Sequence, residues 1–389
     1  MTEATAVATG DWTEAGRLPL AGEWQAVAEN AVLLADGRVL IAGGEDTHLA
    51  TFRQCTVFEP ATGKWSQTGE LGIARGCHST TRLADGSVLA AGGTSGSAPF
   101  PSQGSDTAER YDPVAGTWAP AGTMTAGRWS HSATLLGDGR VLVAGGQGVR
   151  SPGNGTTLSS AEIYDPVAKT WTATGPMTDR RSGHQAVLLP DGRVLVIGGI
   201  ATTGGGEYTG LAFCELFDPA TGAWTPTGTL ARPRWNNTAT VLTDGTVLVT
   251  GGGWPGMVND WVFNSGADWT TERYDPASGQ WTADADLSSA RTWHQAVLLR
   301  SGKVLVFGGA NAPSLTAGFR SAEIYDPLTR SWTAAAGLRT GRWAAVAVLL
   351  ADGRVLTAGG VEYVDRGNTI YQDTLTTTTE IFTPPEDGR

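Results

Sequence analysis

Arg128-Trp-Ser-His131-Ser-Ala-Thr-Leu-Leu-Gly137-Asp138-Gly139-Arg-Val-Leu-Val-Ala-Gly145-Gly146 is the stretch whose reading decides the fold. Two short runs rich in Val, Leu and Ala flank Asp138-Gly139, a hairpin signal because glycine supplies the positive φ that tight hairpins need. After a loop come Ala161-Glu162-Ile163-Tyr164-Asp165-Pro166 and then Trp171. The same phrase recurs along the chain, and its glycine pairs (Gly43-Gly44, Gly92-Gly93, Gly145-Gly146, Gly198-Gly199, Gly251-Gly252, Gly308-Gly309 and Gly359-Gly360) fall at intervals of 49 to 57 residues. A repeat of about 50 residues that is strand-like throughout marks a propeller blade, a small sheet that buries both its faces only by stacking on neighbours. Each repeat supplies strands A and B around the Asp-Gly turn, strand C with the Tyr or Phe, and strand D with the Trp.

A glycine pair closing strand B, then an aromatic and a Trp at fixed offsets, seven times over from about residue 12 to 384, resembles the kelch family. The resemblance implies an all-β, seven-bladed β-propeller of four-stranded antiparallel blades, with residues 1–389 as one domain. The seventh repeat reaches Thr379-Glu380-Ile381-Phe382-Thr383-Pro384 without its Trp, while Asp11-Trp12-Thr13 stands alone near the N-terminus. The N-terminal segment is therefore expected to be strand D of the last blade, which removes an open sheet edge.

Composition agrees. With 389 residues, 54 glycines, 40% hydrophobic and 17% charged residues, the chain is long enough for an extensive core. A net charge of −11 argues against nucleic acid and anionic membranes as partners. No apolar run approaches the roughly eighteen residues of a membrane span. Met1-Thr-Glu-Ala-Thr-Ala lacks a basic and apolar leader, so a cytoplasmic location is expected. Cys55, Cys77 and Cys214 are too few and too scattered for a disulfide framework.

Strand A begins, and strand B ends, on one face of the disc, so the D-to-A and B-to-C loops share a mouth. The B-to-C loops are long and irregular in sequence, and variable loops on a rigid repeat are where binding and catalysis concentrate. Ten residues before each turn Asp, or Ser301 in its place, stands Arg75, Arg128, Arg181, Arg234, Arg291 or Arg342. Two residues before the strand C aromatic stands Glu109, Glu162, Glu215, Glu272, Glu323 or Glu380. The first repeat lacks both, with Ala26 and Thr56, and this joint absence predicts ion pairs that join strands.

Seven residues before the turn stand His78, His131, His184 and His294, with Glu29, Asn237 and Ala345 in other blades. Packing within the Arg-x-x-His pattern is the favoured reading, so no cofactor is expected. The alternative is a ring of imidazoles around a transition metal, Cu or Fe. The related copper radical oxidases typified by galactose oxidase bear on this: Arg291-Thr-Trp293-His294 resembles their Tyr-His strand, and Gly251-Gly252-Gly253-Trp254 their stacking Trp. Trp293 and Asn236 stand where that family has its two Tyr residues, and Gly183 where it has a Cys, which argues against a tyrosyl radical.

Eight of the 15 tryptophans (Trp24, Trp129, Trp235, Trp254, Trp261, Trp269, Trp293 and Trp343) fall on the mouth face outside strand D. Such aromatic surface suits sugar rings, planar aromatics or cations, and Trp24, Trp129, Trp235, Trp254, Trp293 and Trp343 are the candidate ligand contacts. The alternative is that they plug the channel. The first blade departs from its own rule, with Glu29 in the histidine column and Glu45-Asp46-Thr47-His48 after its glycine pair. Glu29 and His48 are thus candidates for general base and acid. These features predict an enzyme acting on a small aromatic or ring-containing ligand, the alternatives being a non-catalytic protein- or glycan-binding propeller and a histidine-metal oxidase.

Overall fold

The computed structural model describes residues 9–22, 31–46, 50–95, 104–151, 154–202, 208–258, 261–311, 317–363 and 373–385, and among these there is no helix. Seven four-stranded antiparallel sheets run A-B-C-D in order, and blade 3 typifies them with Ser132–Leu135, Val141–Ala144, Ala161–Asp165 and Thr170–Ala173. Each strand A packs on the strands A of the blades on either side, all the way round, so A is innermost. Strand D is the outermost and mostly exposed, as the pattern at Thr170–Ala173 shows.

Side-chain alternation places the core between blades rather than within them. Val141 and Val143 of strand B pack towards blade 2 with Leu89 and Ala91. Leu142 and Ala144 of the same strand pack towards blade 4 with Val194, Val196 and Phe217. Strand B of blade 3 is therefore apolar at every position and wholly buried.

The turns follow from their residues. Gly139 N–H donates to Leu136 O at 3.0 Å, Gly139 takes φ 87°, and the Asp138 carboxylate accepts the Arg140 N–H at 3.0 Å. The glycine pair has a packing cause. A Cβ on Gly145 would lie 2.5 Å from Arg181 O and 2.9 Å from His184 Cε1 of the next blade, and one on Gly146 would lie 2.8 Å from His131 Cβ of its own blade. The two glycines thus admit strand A from both sides.

The N-terminal strand Asp11–Arg17 pairs antiparallel with Thr378–Thr383, with Trp12 opposite Phe382, and completes blade 7 as expected. Trp12 is 1% exposed and donates its indole N–H to Ala336 O at 2.8 Å. In every blade the strand D Trp lies on the strand C aromatic, as Tyr164 and Trp171 do with centroids 5.0 Å apart.

Four B-to-C connections that read as irregular loops are instead two-stranded ribbons. They pair Gln147–Ser151 with Asn154–Thr157, Ile200–Thr202 with Tyr208–Gly210, Gly253–Val258 with Trp261–Ala267, and Val361–Tyr363 with Asp373–Leu375. The ribbons of blades 3 and 4 are locked together by the Thr157 and Thr202 hydroxyls, 3.0 Å apart, each accepting the other residue's backbone N–H.

Candidate functional site at the mouth

A ring of backbone hydrogen bonds crosses the inner ends of the blades. Ser130 N–H donates to Cys77 O (3.0 Å), Gly183 to Ser130 (3.1 Å), Asn236 to Gly183 (3.3 Å), Trp293 to Asn236 (3.3 Å) and Ala344 to Trp293 (3.2 Å). Each of these residues lies two positions after the blade arginine and has a positive φ between 48° and 60°. That conformation suits Gly183 and Asn236, and is strained for Cys77 and Trp293. The preceding residue in each blade bridges to the residue after the glycine pair, as Trp129 does to Gln147 and Trp235 to Gly253, so ring and ribbons share one face.

The six arginines lie beneath this ring, at most 1% exposed, and each pairs with the glutamate of its own blade, Arg181 with Glu215 at 2.7 Å and Arg128 with Glu162 at 2.8 Å. Arg181 also donates to Gly198 O and Phe213 O at 2.9 Å. The glutamate's other oxygen accepts the Thr178 N–H at 2.7 Å. The Nη donors and the carboxylate oxygens are engaged within the fold, although Nε of Arg128, Arg181, Arg234 and Arg291 has no partner among the described residues, and the arginine column is structural.

The four histidines of strand A are buried. His131 Nε2 lies 2.9 Å from Ser79 Oγ of blade 2, His184 Nε2 2.9 Å from Ser132 Oγ of blade 3, and His294 Nε2 3.0 Å from Thr250 Oγ1 and 3.1 Å from Thr238 Oγ1 of blade 5. Burial and the neighbouring arginine push His78 and His294 down to about 3 and hold His131 and His184 well below the usual imidazole range, so all four are neutral. His131, His184 and His294 thus pin adjacent blades together, whereas the ring nitrogens of His78 make no such bridge among the described residues. Among the described residues no group of three or more His, Cys, Asp or Glu side chains is placed to hold a metal.

Three candidate indoles meet. Trp235 and Trp293 have ring centroids 5.9 Å apart at 61°, and Trp293 and Trp343 5.3 Å apart at 32°. Trp343 is buried, whereas Trp235, Trp293 and Trp129 are half-buried. Trp254 lies on the fifth blade's ribbon strand Gly253–Val258. Trp269, also on this face, is 52% exposed. Trp24, Glu29 and His48 lie outside the described residues.

The first blade's described contribution is Glu45. Its side chain is buried, and burial pushes its carboxyl up to about 7. Cys77 Sγ of blade 2 donates to Glu45 Oε1 at 3.2 Å. Gly76 makes the contact possible, because a Cβ there would lie 2.4 Å from Glu45 Oε2. The sequence reading passed over this pair, since its members are on different blades. The signal was a carboxylate directly after the glycine pair, where the other repeats carry Thr94, Gln147, Ile200, Gly253, Ala310 and Val361.

The Kelch motif profile matches residues 75–125, 128–178 and 296–339. The chain is 32% identical over 180 residues to Kelch-like protein 33 of Homo sapiens, covering 46% of this chain and 31% of that protein. It is 25% identical over 283 residues to Kelch-like protein 15 of Danio rerio, covering 72% of this chain and 36% of that one. The chain thus spans about a third of the length of these relatives. It is also similar to a solved structure described as a "Novel fungal alcohol oxidase with catalytic diversity among the AA5 family, in complex with copper". The TM-score is 0.72 with 20% identity, over 97% of this chain and 77% of that one, a likeness of fold. Fold and matches together define the class, a seven-bladed β-propeller. Three stretches of these blades match the Kelch motif.

The copper in that relative's description does not fit the residues here. The ring carries Trp293, Asn236 and Gly183, none of them able to supply a phenolate or thiolate, and His294 Nε2 is engaged between blades.

Proposed function

We propose that this chain is a binding propeller whose mouth face receives a protein segment over the indoles of blades 5 to 7. The observation that carries this reading is that the indole N–H groups of Trp129, Trp235, Trp293 and Trp343 are buried with no acceptor among the described residues. In strand D, Trp65, Trp171, Trp281 and Trp332 donate to a hydroxyl or carbonyl at 2.7 to 3.1 Å, while Trp118 and Trp224 also lack an acceptor among the described residues, so the mouth indoles are set apart by the mutual packing of Trp235, Trp293 and Trp343. A buried donor without a partner costs about 1–3 kcal/mol and asks for a ligand that supplies one. Peptide carbonyls are such acceptors, and apolar side chains suit the indole faces. Because Trp235, Trp293 and Trp343 pack on one another, they present a continuous surface rather than a slot for one sandwiched ring.

Panning a random peptide display library on the immobilised protein tests this. Enriched sequences should carry an apolar or aromatic anchor and be lost from the Trp235→Ala variant. Equal enrichment on wild type and variant counts against the reading.

A further inference from the structure

We propose that Cys77 and Glu45 form a second, chemically reactive site at the mouth: a thiol nucleophile with a carboxylate as its proton acceptor, acting on the carbonyl carbon of an ester or thioester. This goes beyond the peptide-binding reading and does not depend on it.

The geometry sets Cys77 apart from the other two thiols. Cys55 and Cys214 are buried, and burial pushes them up to about 11 and about 12, which keeps them protonated and inert. Cys77 is half-buried, sits on the ring of positive-φ residues, and points its S–H at Glu45 Oε1, 3.2 Å away. Glu45 is held in the notch between blades 1 and 2 by the lack of a side chain on Gly76, with Thr51 and Thr94 on the same notch. Thr51 is uncharged and so is Thr94. Among the described residues, the charged groups on these segments are Asp46 beside Glu45, which disfavours ionisation, and Arg75 beside Gly76, whose guanidinium is taken by Glu109 and by Gly92 O. His78, next to Cys77, is neutral. A carboxyl with no ion pair among the described residues, in contact with a thiol and titrating near 7, is in the range where it accepts a proton at neutral pH.

The step balances. Sγ bonds to the acyl carbon as its proton passes to Glu45 Oε1, and the ester C–O or thioester C–S bond breaks as Glu45 returns that proton to the departing oxygen or sulfur, releasing the alcohol, phenol or thiol and leaving Glu45 ionised. A water molecule then attacks the thioester, its proton passes by way of Glu45 to the departing sulfur, and acid and free thiol result.

The test uses p-nitrophenyl acetate on the whole protein, following p-nitrophenolate release against pH and locating the acetyl group by peptide mass spectrometry. The expected result is acetylation at Cys77 with a rate that rises through about pH 7 and then levels, abolished by Cys77→Ser and at least about tenfold slower at pH 7.5 in Glu45→Gln. A rate in the wild type that instead rises around the ordinary thiol value of about 8.5, or that Glu45→Gln leaves unchanged, overturns the proposal. The wild-type profile decides alone should Glu45→Gln fail to fold.

Discussion

Arg181 and Arg193 belong to one blade and both face a carboxylate, but only one does so away from water. Arg181 and Glu215 are at most 2% exposed, whereas Arg193 and Asp191 are 36% and 42% exposed. Removing one partner of a buried pair strands the other, so Arg181→Ala should cost about 3–5 kcal/mol in urea unfolding. Arg193→Ala should cost about 1 kcal/mol or less. Equal losses would show that the arginine column is not part of the framework. The joint absence of Arg and Glu from blade 1 made this pairing legible in the sequence, because partners lost together are partners in space.

The titrating residues act in opposite directions. His78 and His294 are depressed to about 3, so on acidification the unfolded chain takes up protons near 6.5 that the folded chain refuses. Their stabilisation is full above about 6.5 and lost as pH falls towards 3. Glu45 is raised from 4.5 to about 7, so its contribution is present at low pH and is lost as pH rises from 4.5 through 7. Glu45→Gln removes only the second effect. The melting temperature of the variant relative to wild type should be higher at pH 8 than at pH 4.5, and a difference that does not change with pH would contradict the burial of that carboxyl.

Among elements, the strand Asp11–Arg17 contributes most for its length. It supplies Trp12, whose ring lies 5.1 Å from Phe382 and 5.0 Å from Phe307, and it covers the edge of Thr378–Thr383. Deleting residues 1–18 should lower the melting temperature far more than deleting residues 386–389, and equal melting temperatures would contradict closure by this strand. The strand was legible because a repeat short of its Trp and a Trp outside any repeat complete each other. The ribbons on blades 3, 4, 5 and 7 were not, since Gly, Ser, Thr and Asn dominate Gln147 to Ser160 and read as loop. Their order comes from pairing with each other, as at Thr157 and Thr202, which leaves no periodic trace. The ring at the mouth was hidden for a related reason. Its hydrogen bonds join residues more than 50 positions apart, and its column holds Cys77, Ser130, Gly183, Asn236, Trp293 and Ala344, too mixed to announce a shared backbone conformation.

At the scale of the whole molecule, the two faces divide the work. The face of Asp-Gly and Pro-to-Trp turns is built from self-satisfied short loops, such as Asp165, whose carboxylate accepts the Val167 and Ala168 N–H groups. The mouth carries the strained ring, the Glu45–Cys77 contact and the indoles with unfilled donors. The sequence placed the indoles on this face, yet their mutual packing depends on side-chain directions that only the assembled ring sets. The most direct measurement is therefore the affinity of a library-selected peptide, by titration of tryptophan fluorescence, for wild type, Trp235→Ala, Trp343→Ala and, on the opposite face, Val167→Lys. Either Trp variant should lose about 1–3 kcal/mol of binding, the scale of one aromatic contact, with Val167→Lys unchanged. Full affinity in both Trp variants, or its loss in Val167→Lys, would contradict a ligand surface at the mouth.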